Sequence, residues 1–268
     1  MDRSTLIENI RAKKSYLCVG LDTDESKLPQ HLKSSSKAIF EFNKQIIDAT
    51  KDQCVSYKIN TAFYEAMGMR GWEAMEQTVN YIPNSHFKIA DAKRGDIGNT
   101  SSQYAKAFFE TLPFDAITVA PYMGEDSIRP FLEYENKWTI VLGLTSNKGA
   151  VDFEFQRMGD KFLYERVIEK VSKWGNPDNL MFVTGATQAN QLESIRQLIP
   201  DNFLLVPGVG FQGGNLVDVS RYGMNNDIGL LVNVSRAIIY AGDDENFAEE
   251  AKVIAMQYQA EMAMILQG

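Results

Sequence analysis

Eight short apolar runs, separated by longer amphipathic stretches, recur along the whole chain and restrict what it can fold into. They begin near Tyr16 (YLCVGLD), Val55 (VSYKIN), Phe87 (FKIADAK), Ala116 (AITVAP), Trp138 (WTIVLGLT), Leu180 (LMFVTGAT), Phe203 (FLLVPGVG) and Leu230 (LLVNVS). A strand with one wet face alternates apolar and polar residues, whereas near-continuous apolar runs belong to parallel strands covered on both faces. The intervening stretches have helical spacing. Ser34 to Ser36 can cap a helix carrying Ile39, Phe42, Ile46 and Ile47. Residues 98–110 and 159–174 read as helices, and 245–266 sets Phe247, Ala251, Ile254, Tyr258, Met262 and Ile265 on one stripe. Eight βα alternations in about 250 residues predict an α/β fold, a (β/α)8 TIM barrel, as a single domain over residues 1–268. The alternative is an open doubly wound sheet, which carries a Gly-rich turn after its first strand. Here the first run ends in Gly20-Leu21-Asp22, with no G-x-G-x-x-G. One connection is long: residues 147–160 follow the fifth run, the length of a lid or binding loop.

Barrels of this kind place their chemistry at the C-terminal ends of the strands, so the residues that end the runs are the candidates. Asp22 ends the first. Lys58 and Asn60, two apart and therefore on one face, end the second, and Asp91 and Lys93 end the third in the same way. A lone Asp or Lys here would read as a solvated loop charge. Three consecutive strands that all end in charge point instead to function. A buried structural ion-pair network is the other reading, although such networks stabilise poorly because desolvation offsets the Coulomb gain. After the seventh run comes Pro207-Gly208-Val209-Gly210-Phe211-Gln212-Gly213-Gly214, and after the eighth Asn233-Val234-Ser235-Arg236. Glycine-freed amides with an arginine make a phosphate site, at the place where barrels often hold one. The fifth run ends in Thr145-Ser146-Asn147, which by itself reads equally as a base-reading edge or, more simply, a helix cap.

The charge balance narrows the partners. With 27 Lys and Arg against 35 Asp and Glu the net charge is −8, which argues against a nucleic-acid footprint but leaves room for an anionic small molecule in one focused cleft. Neither Cys18 nor Cys54 lies in a metal-ligand spacing, and both read as buried free thiols of a reducing cytoplasm. His31 and His86 are too few and too far apart for a histidine metal site. No apolar stretch approaches the roughly 20 residues of a membrane span, and the N-terminus lacks the apolar core of a signal peptide. The expectation is a soluble cytoplasmic protein without a metal.

The segment Asp91-Ala92-Lys93-Arg94-Gly95-Asp96-Ile97 resembles the D-x-K-x-x-D motif of orotidine 5′-monophosphate decarboxylases. The resemblance extends over nearly the whole chain. Asp22 matches the family aspartate after the first strand and Lys58 the lysine after the second. Ser146 resembles the serine that contacts the pyrimidine, and Gln212 and Arg236 resemble the phosphate ligands. The Lys58-Ile59-Asn60 segment and the long loop after the fifth strand are similar to the longer, mostly bacterial subgroup. The resemblance implies a nucleotide substrate, no cofactor, and a homodimer with active sites at the subunit interface. In it Lys58, Asp91 and Lys93 come from one subunit, while Asp96 and Thr100 reach into the partner's site. It further implies catalysis by Lys93, Asp91, Asp96 and Lys58, and substrate binding by Asp22, Asn60, Thr100, Ser146, Gln212 and Arg236. Sugar-phosphate decarboxylases of the same superfamily keep the motif but use Mg²⁺, and the set Lys58, Ser146, Gln212 and Arg236 fits the nucleotide enzyme better. A Schiff-base aldolase using Lys58 or Lys93, and a barrel that binds uridine monophosphate without turnover, are the remaining readings.

Overall fold

The computed structural model describes residues 1–186, 189–210 and 214–267. Its strands are Leu17–Gly20 (β1), Ser56–Asn60 (β2), Phe87–Arg94 (β3), Ala116–Val119 (β4), Trp138–Leu144 (β5), Arg157–Met158 (β6), Lys161–Phe162 (β7), Leu180–Thr184 (β8), Leu204–Pro207 (β9) and Leu230–Val234 (β10). All but β6 and β7 form one closed barrel in the order β1-β2-β3-β4-β5-β8-β9-β10, with β10 returning to β1 and every pair parallel. These are the eight apolar runs of the sequence. The reason is burial on both faces, by the barrel interior and by the surrounding helices, so that β1, β4, β8 and β10 are buried at every position.

One end of the barrel is plugged. Phe87, Trp138 and Phe203, at or next to the starts of β3, β5 and β9, are fully buried. Trp138 meets both phenyl rings edge-on, at centroid distances of 5.8 and 6.0 Å. The Trp138 indole N–H donates to the Met1 carbonyl at 2.9 Å. Arg3, on the helix Arg3–Lys13, donates to the carbonyls of Pro177 and Asp201. The N-terminal helix thus seals the strand starts, which leaves the strand ends for a site.

The helices depart from the sequence reading in three places. The helix Ala38–Thr50 forms, but its N-cap is Lys37 without a side-chain bond. The serine hydroxyls are engaged earlier: Ser35 Oγ accepts from Lys37 N–H at 3.1 Å and donates to Glu41 at 2.8 Å. The segment 159–174 is helical only over Leu163–Val171. Its first residues pair as the β6–β7 hairpin, which turns through Gly159 at φ +74°. Residues 98–110 form the α-helix Gly98–Lys106, followed by a wider π turn over Ala107–Thr111. The last helix, Phe247–Ile265, buries Phe247, Ala251, Ala255 and Met262. Cys18 and Cys54 are unpaired and buried, and burial pushes their thiols up to about 11 and about 12. Among the described residues no helix is long and apolar enough to cross a membrane.

Candidate active site

At the C-terminal mouth of the barrel lies a cavity of about 510 Å³. Strand register builds its charged wall. Gly20 of β1 is level with Lys58 of β2, and Asn60 of β2 with Asp91 of β3, so the polar ends of three neighbouring strands meet. Lys58 Nζ lies 2.8 Å from Asp91 Oδ2 and 3.4 Å from Asp22 Oδ1. Lys93 Nζ lies 2.6 Å from the other Asp91 oxygen. Asp22, Lys58, Asp91 and Lys93 all line the cavity, as a row of alternating sign with no net charge.

Burial disfavours the Lys58 ammonium, but the carboxylates of Asp22 and Asp91 outweigh it and raise its pKa above the usual lysine value. Burial likewise disfavours the Asp91 carboxylate, and the ammonium groups of Lys58 and Lys93 outweigh it, holding Asp91 well below the usual carboxylate range. Lys58 and Asp91 are therefore a fixed buried ion pair, while the Lys93 side chain is half exposed to the cavity.

The backbone at Lys93 is unusual. Its φ is +44°, in the left-handed region that a residue with a Cβ rarely adopts. The register of β3 against β4 shifts between Ala90 and Arg94, a bulge that re-aims the strand end. Lys93 N–H donates to Thr118 Oγ1 at 2.9 Å, and Thr118 donates to Asp91 Oδ1 at 3.0 Å. The next residue, Arg94, pairs with Glu65 and lies over the rings of Tyr104 and Phe108.

The opposite wall comes from the ends of β5, β9 and β10. Ser146 lines the cavity there, beside Thr145. Thr145 is not a helix cap: its N–H and hydroxyl both lie 2.7 Å from the Glu154 carboxylate. Glu154 reaches in from the long loop after β5, which contains the helix Ala150–Phe153 and the β6–β7 hairpin. Phe155, Phe162 and Tyr164 pack on one another at the base of that loop. Pro207, Gly208 and Arg236 also line the cavity. At Gly210, φ is +80° and a Cβ would come within 2.4 Å of the Tyr258 hydroxyl, so only glycine lets this turn pack as it does. Gln212 lies outside the described residues.

Three candidates stand apart from the cavity of their own chain. Asn60 accepts from Ala62 N–H at 3.3 Å, capping the helix Thr61–Glu65. Asp96 accepts from Ile97 N–H at 2.8 Å, and Thr100 is exposed on Gly98–Lys106. Among the described residues no three His, Cys, Asp or Glu side chains converge as a metal site would require. Sequence reasoning missed Thr118, Glu154 and Tyr240, whose hydroxyl accepts from Asp24 N–H at 2.7 Å and so steadies the loop after β1. Thr118 sits inside an apolar run and Glu154 inside a loop, so neither broke a pattern.

A family model described as orotidine 5′-phosphate decarboxylase / HUMPS family matches residues 15–251. The chain belongs to this family. A relative from Christiangramia forsetii named orotidine 5′-phosphate decarboxylase is 57% identical over 100% of this chain and 99% of its own. One of the same name from Bacteroides fragilis is 55% identical over 98% and 97%. Among solved structures, the orotidine monophosphate decarboxylase of Leishmania donovani is 37% identical, with a TM-score of 0.82 over 97% of this chain and 99% of that one. The UMP synthase of the same organism is 38% identical with a TM-score of 0.84, and there this family member spans 57% of the longer chain.

Proposed function

We propose that this protein is an orotidine 5′-phosphate decarboxylase, a carboxy-lyase that converts orotidine 5′-monophosphate to uridine 5′-monophosphate and carbon dioxide without a cofactor. The observation that carries the reading is Asp91 held between two ammonium groups, at 2.8 and 2.6 Å, in the wall of the cavity. The near-full-length relatives of that name support it.

The bond from pyrimidine C6 to its carboxylate breaks, its electron pair stays on C6, and carbon dioxide leaves. Lys93 stabilises the developing carbanion by charge and then donates its proton to C6, recovering one from water. Asp91 faces the departing carboxylate. Two such charges about 4 Å apart repel by roughly 4 kcal/mol at an effective dielectric of 20. So slow a reaction demands roughly 20 kcal/mol of catalysis, so repulsion is a minor part. The fixed Lys58–Asp91 pair pre-orients Lys93, and phosphate binding by Arg236 and Gln212 contributes remote binding energy. Ser146 reads the base, and Asp22 completes the substrate contacts.

The active unit is a homodimer in which Asp96 and Thr100 serve the partner's cavity. In support, Ile97 (54% exposed), Tyr122 (92%) and Met123 (44%) lie on the loops after β3 and β4, an apolar surface next to Asp96. The chain works as a single domain over residues 1–268, in the cytoplasm, where Cys18 and Cys54 stay reduced.

The test is the loss of orotidine monophosphate absorbance with purified protein in EDTA. Rapid, chelator-insensitive formation of uridine monophosphate is expected. Binding of uridine monophosphate without turnover, or turnover that requires added Mg²⁺, would overturn the reading.

A further inference from the structure

Thr118 lies in the middle of the apolar run that forms β4, where a threonine is ordinarily one more β-branched core residue. It is fully buried, yet its hydroxyl faces the charged row. That hydroxyl has one hydrogen and two lone pairs. The hydrogen goes to Asp91 Oδ1 at 3.0 Å, because an ionised carboxylate only accepts. A lone pair takes the Lys93 backbone N–H at 2.9 Å. The same Asp91 oxygen takes the Lys93 ammonium at 2.6 Å. One side chain thus joins the backbone of Lys93 to the carboxylate that holds its side chain.

The bond falls where the sheet ladder is interrupted. Ala90 is level with Ile117 and Arg94 with Val119, so four steps on β3 face two on β4. The Lys93 N–H, part-buried in this bulge, takes its partner from a side chain, Thr118. The bond also holds Lys93 at φ +44°, a conformation that persists only when the surroundings over-determine it.

We propose that Thr118 is a positioning residue for the proton donor: its hydroxyl fixes the left-handed backbone of Lys93 and the rotation of the Asp91 carboxylate, and so sets where the ammonium sits in the cavity. This rests on the reading of Lys93 as proton donor. Without the hydroxyl, Lys93 relaxes toward an ordinary backbone conformation and Asp91 loses the bond that turns Oδ1 toward Lys93. Catalysis by a positioned group is sensitive to such displacements, while binding through the base and phosphate is not.

The experiment compares Thr118→Val, which keeps the shape, with Thr118→Ser, which keeps the hydroxyl. In Thr118→Val, kcat is expected to fall roughly ten- to a hundredfold, the worth of a hydrogen bond to a charged group, while KM and the dissociation constant for uridine monophosphate stay within about twofold. Thr118→Ser restores most of kcat. Should the valine variant not fold, Thr118→Ala removes the same hydroxyl without adding a methyl, and the same split is expected. A hydroxyl-free variant with the parent's kcat, a serine variant no better than valine, or KM and product binding weakening as much as kcat would each overturn the proposal. A parent protein without decarboxylase turnover overturns the functional reading as well, which separates the two failures.

Discussion

Lys58 Nζ and Asp91 Oδ2 lie 2.8 Å apart with both side chains buried. Removing the cation leaves the buried Asp91 with only Lys93 as counter-ion, and breaking a buried pair costs about 3 kcal/mol or more. Lys58→Met is expected to lower the melting temperature at neutral pH by roughly 5–10 °C in a chain of this size. Asp91 is depressed below its ordinary value of 3.8, so its contribution is complete above that value and is lost as pH falls further. Lys58 is raised above 10.5, so its contribution is complete below that value and is lost only as pH rises beyond it. Melting curves of parent and variant at neutral pH decide the point: coincident curves would mean that the pair adds nothing to stability.

The shared-site homodimer proposed above would have a stoichiometric consequence. Lys93→Ala is expected to lose turnover by roughly 10²- to 10⁴-fold, the usual worth of a positioned proton donor, and Asp96→Ala to lose most of it as well. In a mixed dimer, one of the two cavities combines an intact Lys93 with an intact Asp96 from the other chain. Random exchange of subunits then restores about one quarter of the parent activity in a symmetric dimer. Activity that stays at zero after demonstrated exchange would put both residues in one subunit's site.

Arg236 lines the cavity at the start of the short helix after β10. With the phosphate as its partner, Arg236→Ala is expected to raise KM by roughly 10- to 100-fold, since a charge-assisted hydrogen bond contributes about 1.5–3 kcal/mol. Binding of uridine, which lacks the phosphate, should not change. Steady-state kinetics together with titrations of uridine and its monophosphate measure both quantities, and equal weakening for the two ligands would remove Arg236 from the phosphate site.

How much of this was legible depends on whether a residue breaks its local pattern. The barrel strands stood out because burial on both faces leaves little room for polar residues, so Asp22, Lys58, Asp91 and Lys93 were visible as interruptions. Thr118 was invisible because threonine suits a buried strand; its role exists only through the bulge that brings the Lys93 N–H to it. The hairpin at residues 157–162 was hidden for a related reason. Phe162 fits the helical stripe that follows it, and only the pairing of Arg157 with Phe162 shows where that stripe begins.

Glu154 accepts from the Thr145 N–H, next to Ser146, and shares the Thr145 hydroxyl with Asn147 Oδ1. Glu154→Ala is expected to leave the part-buried Thr145 N–H without its partner and to loosen the wall beside Ser146, with KM rising roughly tenfold from the loss of about 1–2 kcal/mol. Glu154→Gln keeps an acceptor and should recover most of the loss. Kinetics with both variants test this, and an alanine variant with the parent's KM would make the contact merely a loop tether.

His86 supplies the last prediction, at the opposite end of the barrel. Lys13 Nζ donates to the carbonyls of Lys51 at 2.6 Å and Cys54 at 2.8 Å, and His86 Nε2 lies 2.9 Å from Lys13 Nζ and 2.8 Å from the Lys51 carbonyl. The Lys13 ammonium beside the ring disfavours a second positive charge on it. Burial, reinforced by the Lys13 charge, lowers the His86 pKa from 6.5 to about 4. The unfolded chain therefore binds a proton between these values that the folded chain refuses, and stability falls as pH drops from 6.5 toward 4. The loss approaches about 3 kcal/mol at the acid end, from the energy of a pKa shift of this size. His86→Gln keeps a side chain that can both donate and accept but cannot titrate. Its unfolding free energy, measured by denaturant titration at several pH values, should be flatter across that window than the parent's, and parallel curves for the two proteins would exclude His86 as the titrating group.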